Sequence, residues 1–221
     1  MMNSTQLFPD SLAAKLAATK IVAVLMVDDA AAAVPLAKAL LAGGVDVMEL
    51  TLRTPAALAA LREVKAHVPE MIAGIGTILT PEQVVAAKET GGAFGVAPGL
   101  NLRVLARAAE VGLPFAPGVC TPTEIEAAIE AGCRVLKFFP AESLGGIKTI
   151  ATMTTPYAHL GIRYIPLGGL TQGNFTDYLA HPAILAVGGS WIATREEIQR
   201  RDWTSITAKA TAATARLKKE H

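Results

Sequence analysis

The sequence predicts an α/β fold of the (β/α)8 TIM-barrel type, one domain over residues 1–221 with a lead-in helix before the first strand. Strand-like apolar runs alternate with helix-like segments eight times, and eight such units in about 200 residues match the short end of the barrel range. Aromatic residues are scarce at 5%, and alanine and glycine are plentiful, which suits close packing of helices on a sheet. A doubly wound open sheet is the competing architecture. Eight regular units count against it, and no GxGxxG turn follows the first strand.

The elements justify this in order. A helix over 10–19 leads into 21–27, IVAVLMV, a continuous apolar run of the kind that fills a parallel sheet covered on both faces. Asp28 and Asp29 stand where N-caps belong, and a helix over 30–41 ends at Gly43 and Gly44. The same rhythm gives strands at 46–52, 71–77, 93–97, 114–117, 133–138, 163–166 and 184–187. Helices follow at 55–67, 81–90, 101–111, 122–131, 146–159, 172–180 and 196–217. Several open with proline in the first turn, where a missing donor costs nothing.

Composition narrows the function. The net charge is +1, without a long run of one sign, so neither a nucleic-acid stripe nor a polybasic membrane surface is indicated and a small-molecule ligand is expected. Cys120 and Cys133 lack the spacing of a zinc site or a disulfide framework. His67, His159 and His181 are scattered near helix ends and loops, so no metal is expected. The apolar run at 21–27 is far shorter than the roughly 20 residues a bilayer requires, and no targeting signal is read; a cytoplasmic location is expected.

In a barrel, ligands bind at the carboxyl ends of the strands, where few polar residues are eligible here. CRVLKFFPAE places Lys137 at a strand end, sharing a face with Cys133 and Val135, with Pro140 ending the pairing. Beside Leu136, Phe138 and Phe139, its ammonium loses hydration, which favours the nucleophilic neutral amine of a Schiff-base lysine. A lysine that snorkels its charge to water fits the same segment. On VMELTLRT, Val47, Glu49, Thr51 and Arg53 share a face, so a carboxylate points inward and an arginine stands near the mouth. Glu49 also fits a structural ion pair with Arg53 or Lys137. Thr77, Pro98 and Gly99, and Gly118 end the next three strands. The paired glycines Gly168–Gly169 and Gly188–Gly189, the latter followed by Ser190, fall after the seventh and eighth strands. There, many barrels bind phosphate on backbone donors and a helix N-terminus.

VPLAKALLAGGVDVMELTLRT, GIGTILTPEQ, VAPGLN, KFFPAE and VGGSW, in this order, resemble the 2-keto-3-deoxy-6-phosphogluconate (KDPG) and 4-hydroxy-2-oxoglutarate (KHG) aldolase family, from about Ile21 to Trp203. The resemblance implies a (β/α)8 barrel, a homotrimer and a class I lyase that needs no metal or cofactor. It implies Lys137 as the Schiff-base lysine and Glu49 as the proton shuttle, with Arg53 and Thr77 on the pyruvyl carboxylate. Ser190 and nearby Gly168, Gly169 and Gly189 would hold the phosphate, and Pro98 and Phe139 would complete the substrate pocket. The family usually has threonine where Leu167 stands. A non-catalytic sugar-phosphate-binding barrel and a phosphosugar epimerase are the alternatives, although an epimerase would normally need a metal or an acid-base partner opposite Glu49.

Overall fold

Strands that are apolar on both faces have no side to turn to water. In the computed structural model, which describes residues 7–219, they form parallel sheets covered by helices. The strands are β1 Ile21–Leu25, β2 Val47–Thr51, β3 Ile72–Gly76, β4 Gly95–Val96, β5 Phe115–Ala116, β6 Gly118–Val119, β7 Val135–Phe138, β8 Arg163–Pro166 and β9 Val187–Gly189. One sheet has the order β5-β4-β3-β2-β1-β9 and the other β6-β7-β8. Backbone contacts link their edges: a single parallel bridge joins Tyr164 to Ile184, and the Leu185 N–H donates to the Tyr164 carbonyl at 2.9 Å.

The helices are α1 Asp10–Thr19, α2 Ala33–Ala42, α3 Ala57–His67, α4 Pro81–Glu89, α5 Leu102–Val111, α6 Pro122–Glu130, α7 Gly146–Thr154, α8 Phe175–Leu179, α9 Arg195–Gln199 and α10 Trp203–Lys219. Local chemistry starts them. Thr80 with Gln83, and Thr121 with Glu124, form capping boxes at α4 and α6, each with proline in the first turn.

Two apolar clusters follow from strand alternation. Ile21, Ala23, Leu25, Met48 and Leu50 face the helices, while Val22, Val47, Phe94, Val96, Val135, Ile165 and Leu167 meet one another inside. Phe8 and Leu16, from the segment before β1, join the inner cluster. Glu49 and Lys137 are buried beside this inner layer.

Several boundaries differ from the sequence reading, each for a local reason. The strand at 114–117 divides at Pro117, which has no N–H to pair, although its carbonyl accepts from the Lys137 N–H at 2.8 Å. The helix at 146–159 stops at Thr154, and a 3₁₀ turn containing Pro156 takes over. The helix at 172–180 shrinks to α8, because the Asn174 side chain accepts from the Thr171 N–H at 2.7 Å and holds the preceding turn. The last helix, read as 196–217, is two: Arg201 takes a left-handed φ of 56°, and Asp202 accepts from the Ser205 N–H to begin α10. The strand read at 184–187 lies later, since Gly188 and Gly189 themselves pair with Val22 and Ala23. Cys133 precedes β7 and packs in the helix-facing cluster, so it does not share the inner face with Val135 and Lys137.

Candidate active site

Parallel register carries the polar residues to one place. Gly118, Lys137 and Ile165 are neighbours across β6, β7 and β8, and Val24, Glu49 and Gly74 across β1, β2 and β3. All ten residues singled out from the sequence line one cleft of about 600 Å³: Lys137, Glu49, Arg53, Thr77, Pro98, Phe139, Gly168, Gly169, Gly189 and Ser190. Thr51, Leu167, Thr194 and Arg195 line it too, and sequence reading did not assign them as site residues. Thr51 shares the face of Glu49, which was the available signal, but its hydroxyl donates to the Leu25 carbonyl at 3.0 Å. Thr194 and Arg195 stand just before the helix read at 196–217, where Thr194 caps α9 and Arg195 opens it, and no motif marks them.

On the floor, Lys137 Nζ stands 3.5 Å from Glu49 Oε1, with side chains 8% and 3% exposed. The ammonium lies 5.4 Å from the centre of the Phe139 ring. Glu49 Oε1 is buried and has no hydrogen-bond partner among the described residues. Leaving a carboxylate oxygen so is costly, and an imperfect buried ion pair is poor value as a stabiliser. Such a pair can do chemistry: an amine and a carboxylate 3.5 Å apart can both meet one molecule bound in the cleft and pass a proton. Gly76 makes it fit, for a Cβ there would lie 1.8 Å from Glu49 Oε1.

The rim is shaped by unusual backbone. Thr77 has φ 58°, a left-handed conformation that a β-branched residue rarely adopts and that concentrates at functional sites. Thr80, not Thr77, caps α4, so the Thr77 hydroxyl has no capping duty. Arg53 follows the end of β2 and is exposed at the mouth. Arg195 grips Asp28 in a two-point pair, Nε to Oδ2 at 2.9 Å and Nη2 to Oδ1 at 2.7 Å. Gln199 adds 2.8 Å to Oδ2. Hydrogen bonds from Arg195 and Gln199 hold the Asp28 carboxyl down at about 2.

Gly168, Gly169 and Gly189 form the other wall. Gly168 and Gly169 take φ 95° and 85°, which only glycine adopts without strain, and Ser190 is exposed beside them. The expected helix N-terminus is changed, because α8 and α9 are five residues each and begin beyond intervening turns. Loop amides and the Ser190 hydroxyl are the donors the wall offers. Leu167 faces inward, its side chain filling the space where a Cβ on Gly188 would stand 2.7 Å from Leu167 Cγ.

The model of the KDPG and KHG aldolase family matches residues 12–209. The chain belongs to that family. A Haemophilus influenzae relative named 2-dehydro-3-deoxy-phosphogluconate aldolase is 44% identical over 192 residues, 87% of this chain and 90% of that protein. An Escherichia coli K12 protein named KHG/KDPG aldolase is 40% identical over 190 residues, 86% and 88% of the two chains. Among solved structures, KDPG aldolase from Legionella pneumophila, with pyruvate captured as a covalent carbinolamine, matches at a TM-score of 0.87. It is 34% identical, over 91% of this chain and 97% of that one. Members of the KDPG and KHG aldolase family thus share both the sequence and the parallel α/β architecture that carry this cleft.

Proposed function

We propose that the protein is a pyruvate-forming class I aldolase, a lyase that cleaves KDPG to pyruvate and D-glyceraldehyde 3-phosphate, and KHG to pyruvate and glyoxylate. The observation that carries this is the buried Lys137–Glu49 pair, 3.5 Å apart in the floor of the cleft. The Legionella relative, with pyruvate held as a carbinolamine, supports a covalent amine mechanism.

Lys137 Nζ, as the free amine, attacks the C2 ketone to give a carbinolamine. Loss of that oxygen as water leaves an iminium that draws electrons from the C3–C4 bond. Glu49 takes the C4 hydroxyl proton, the aldehyde departs, and the bonding pair becomes an enamine. Glu49 returns the proton to C3, and water hydrolyses the resulting iminium, freeing pyruvate and the amine. Arg53 at the mouth offers a forked cation for the pyruvyl carboxylate, with the Thr77 hydroxyl beside it. Pro98 and Phe139 form apolar walls that limit water at the reacting carbons, and Gly168, Gly169, Gly189 and Ser190 receive the phosphate.

The fold supports reading the two sheets as one (β/α)8 barrel domain spanning the chain. Counting β5 and β6 as a single strand interrupted by Pro117 gives eight strands, and the Tyr164–Ile184 bridge ties the remaining gap. Among the described residues no helix is long and apolar enough to cross a membrane. The family resemblance supports a cytoplasmic homotrimer, which light scattering of the purified protein would measure.

Ser190→Asp tests the substrate assignment. A carboxylate facing the phosphate should raise KM for KDPG about tenfold or more, and should leave KHG cleavage nearly unchanged. Equal effects on both substrates would place the phosphate elsewhere.

A further inference from the structure

The wall assigned to phosphate is supported from behind by a residue beyond the matched family segment, which ends at 209. Arg216, on α10, reaches to the loop and helix that follow β8. Its Nη2 donates to Thr176 Oγ1 at 3.0 Å, its Nη1 donates to the Gln172 carbonyl, and its guanidinium lies 5.2 Å from the centre of the Phe175 ring. Phe175 stacks on Trp191, with ring centres 5.8 Å apart and planes 27° apart. The Trp191 indole N–H donates to Gln172 Oε1 at 3.2 Å. Arg216 therefore holds both supports of Trp191, the stacked ring and the hydrogen-bonding glutamine.

Trp191 in turn fixes the loop. It follows Ser190 directly, and its ring occupies the space above Gly189, where a Cβ would stand 2.0 Å from Trp191 Cε3. A binding loop that must be ordered when ligand arrives loses affinity to that ordering, whereas a loop already held does not.

We infer that Arg216 is a positioning residue for the Gly189–Ser190 loop, acting through Gln172, Phe175 and Trp191, and that it pre-organises this loop for the phosphate end of the substrate. The inference rests on the phosphate assignment made above. Arg216 touches no reacting atom, so the chemistry at Lys137 is untouched by its loss. Lysine at 216 would keep a cation over Phe175 but not the two-point grip on Gln172 and Thr176, since it lacks the planar fork.

The test is steady-state kinetics of Arg216→Ala and Arg216→Lys with KDPG and with KHG, alongside Ser190→Asp. Arg216→Ala should raise KM for KDPG about tenfold with kcat within about twofold, and leave KHG cleavage unchanged; Arg216→Lys should fall between it and the parent. A second measurement reads the loop itself. The chain has two tryptophans, so in a Trp203→Phe background Trp191 reports alone, and Arg216→Ala should shift its emission to longer wavelength as the indole loses its supports. An unmoved KM for KDPG, an equal loss on both substrates, or unshifted emission would overturn the inference. If Ser190→Asp fails to discriminate the two substrates, the phosphate assignment itself fails. If Ser190→Asp discriminates and Arg216→Ala does not, only the role of Arg216 falls.

Discussion

Glu49 Oε1 lies 3.5 Å from Lys137 Nζ and has no hydrogen-bond partner among the described residues, which leaves this carboxylate oxygen open to a group bound beside the amine. Gly76 provides the room, which makes it a sensitive point of attack. A Cβ added there would stand 1.8 Å from Glu49 Oε1 and force the carboxylate aside. Gly76→Ala should therefore lower turnover about 10²- to 10⁴-fold, as Glu49→Gln should by removing the proton carrier. The check is kcat for both variants beside Gly173→Ala, where a Cβ meets only ordinary contact and activity should hold. Full activity in Gly76→Ala would mean that Glu49 is not required where the structure has it.

Much of this site was legible because it depends on strand parity. Val47, Glu49 and Thr51 alternate with Met48 and Leu50, and the structure buries the two sets on opposite faces. Lys137 was legible for the same reason, and KFFPAE added the family. What escaped was set by distant partners. Arg195 is 167 positions from Asp28, and nothing local announces their pairing. The gap Gly76 leaves for Glu49 is likewise a cross-strand fit that a one-dimensional pattern does not encode. The lost helix ends at Thr154 and Gln199 reflect turns that local periodicity runs through.

Leu167 fills the inner face beneath the glycine pairs and lines the cleft, where the resemblance would place threonine. An apolar wall separates C4 epimers only by fit, worth about 1–3 kcal/mol, whereas a hydroxyl that bonds the substrate can discriminate more strongly. Leu167→Thr should widen the preference between the gluconate and galactonate forms. It should also cost about 2 kcal/mol of stability, the low end for truncating a buried leucine. The ratio of kcat/KM for the two epimers, before and after substitution, is the measurement; an unmoved ratio would make Leu167 a packing residue only.

The Asp28–Arg195 pair ties the segment after β1 to the start of α9 at the mouth of the cleft. Its carboxyl titrates at about 2 in the folded protein against an ordinary 3.8, so folding favours the ionised form. The folded value is depressed, and the stabilisation is therefore complete above about pH 4 and is lost as pH falls from there through about 2. Urea unfolding midpoints of the parent and Asp28→Asn should differ by a constant amount above pH 4 and converge below it. A gap that closes between pH 8 and 5 would point to a different group.

The central claim is that Lys137 is the covalent amine. The most direct measurement is intact-protein and peptide mass spectrometry after incubation with pyruvate and borohydride. A lactyl-sized adduct on Lys137 in the parent is the predicted result, with trapping retained in Glu49→Gln and abolished in Lys137→Arg, whose guanidinium stays protonated. An unmodified parent under conditions that label another lysine aldolase, or an adduct on any other lysine, would contradict it.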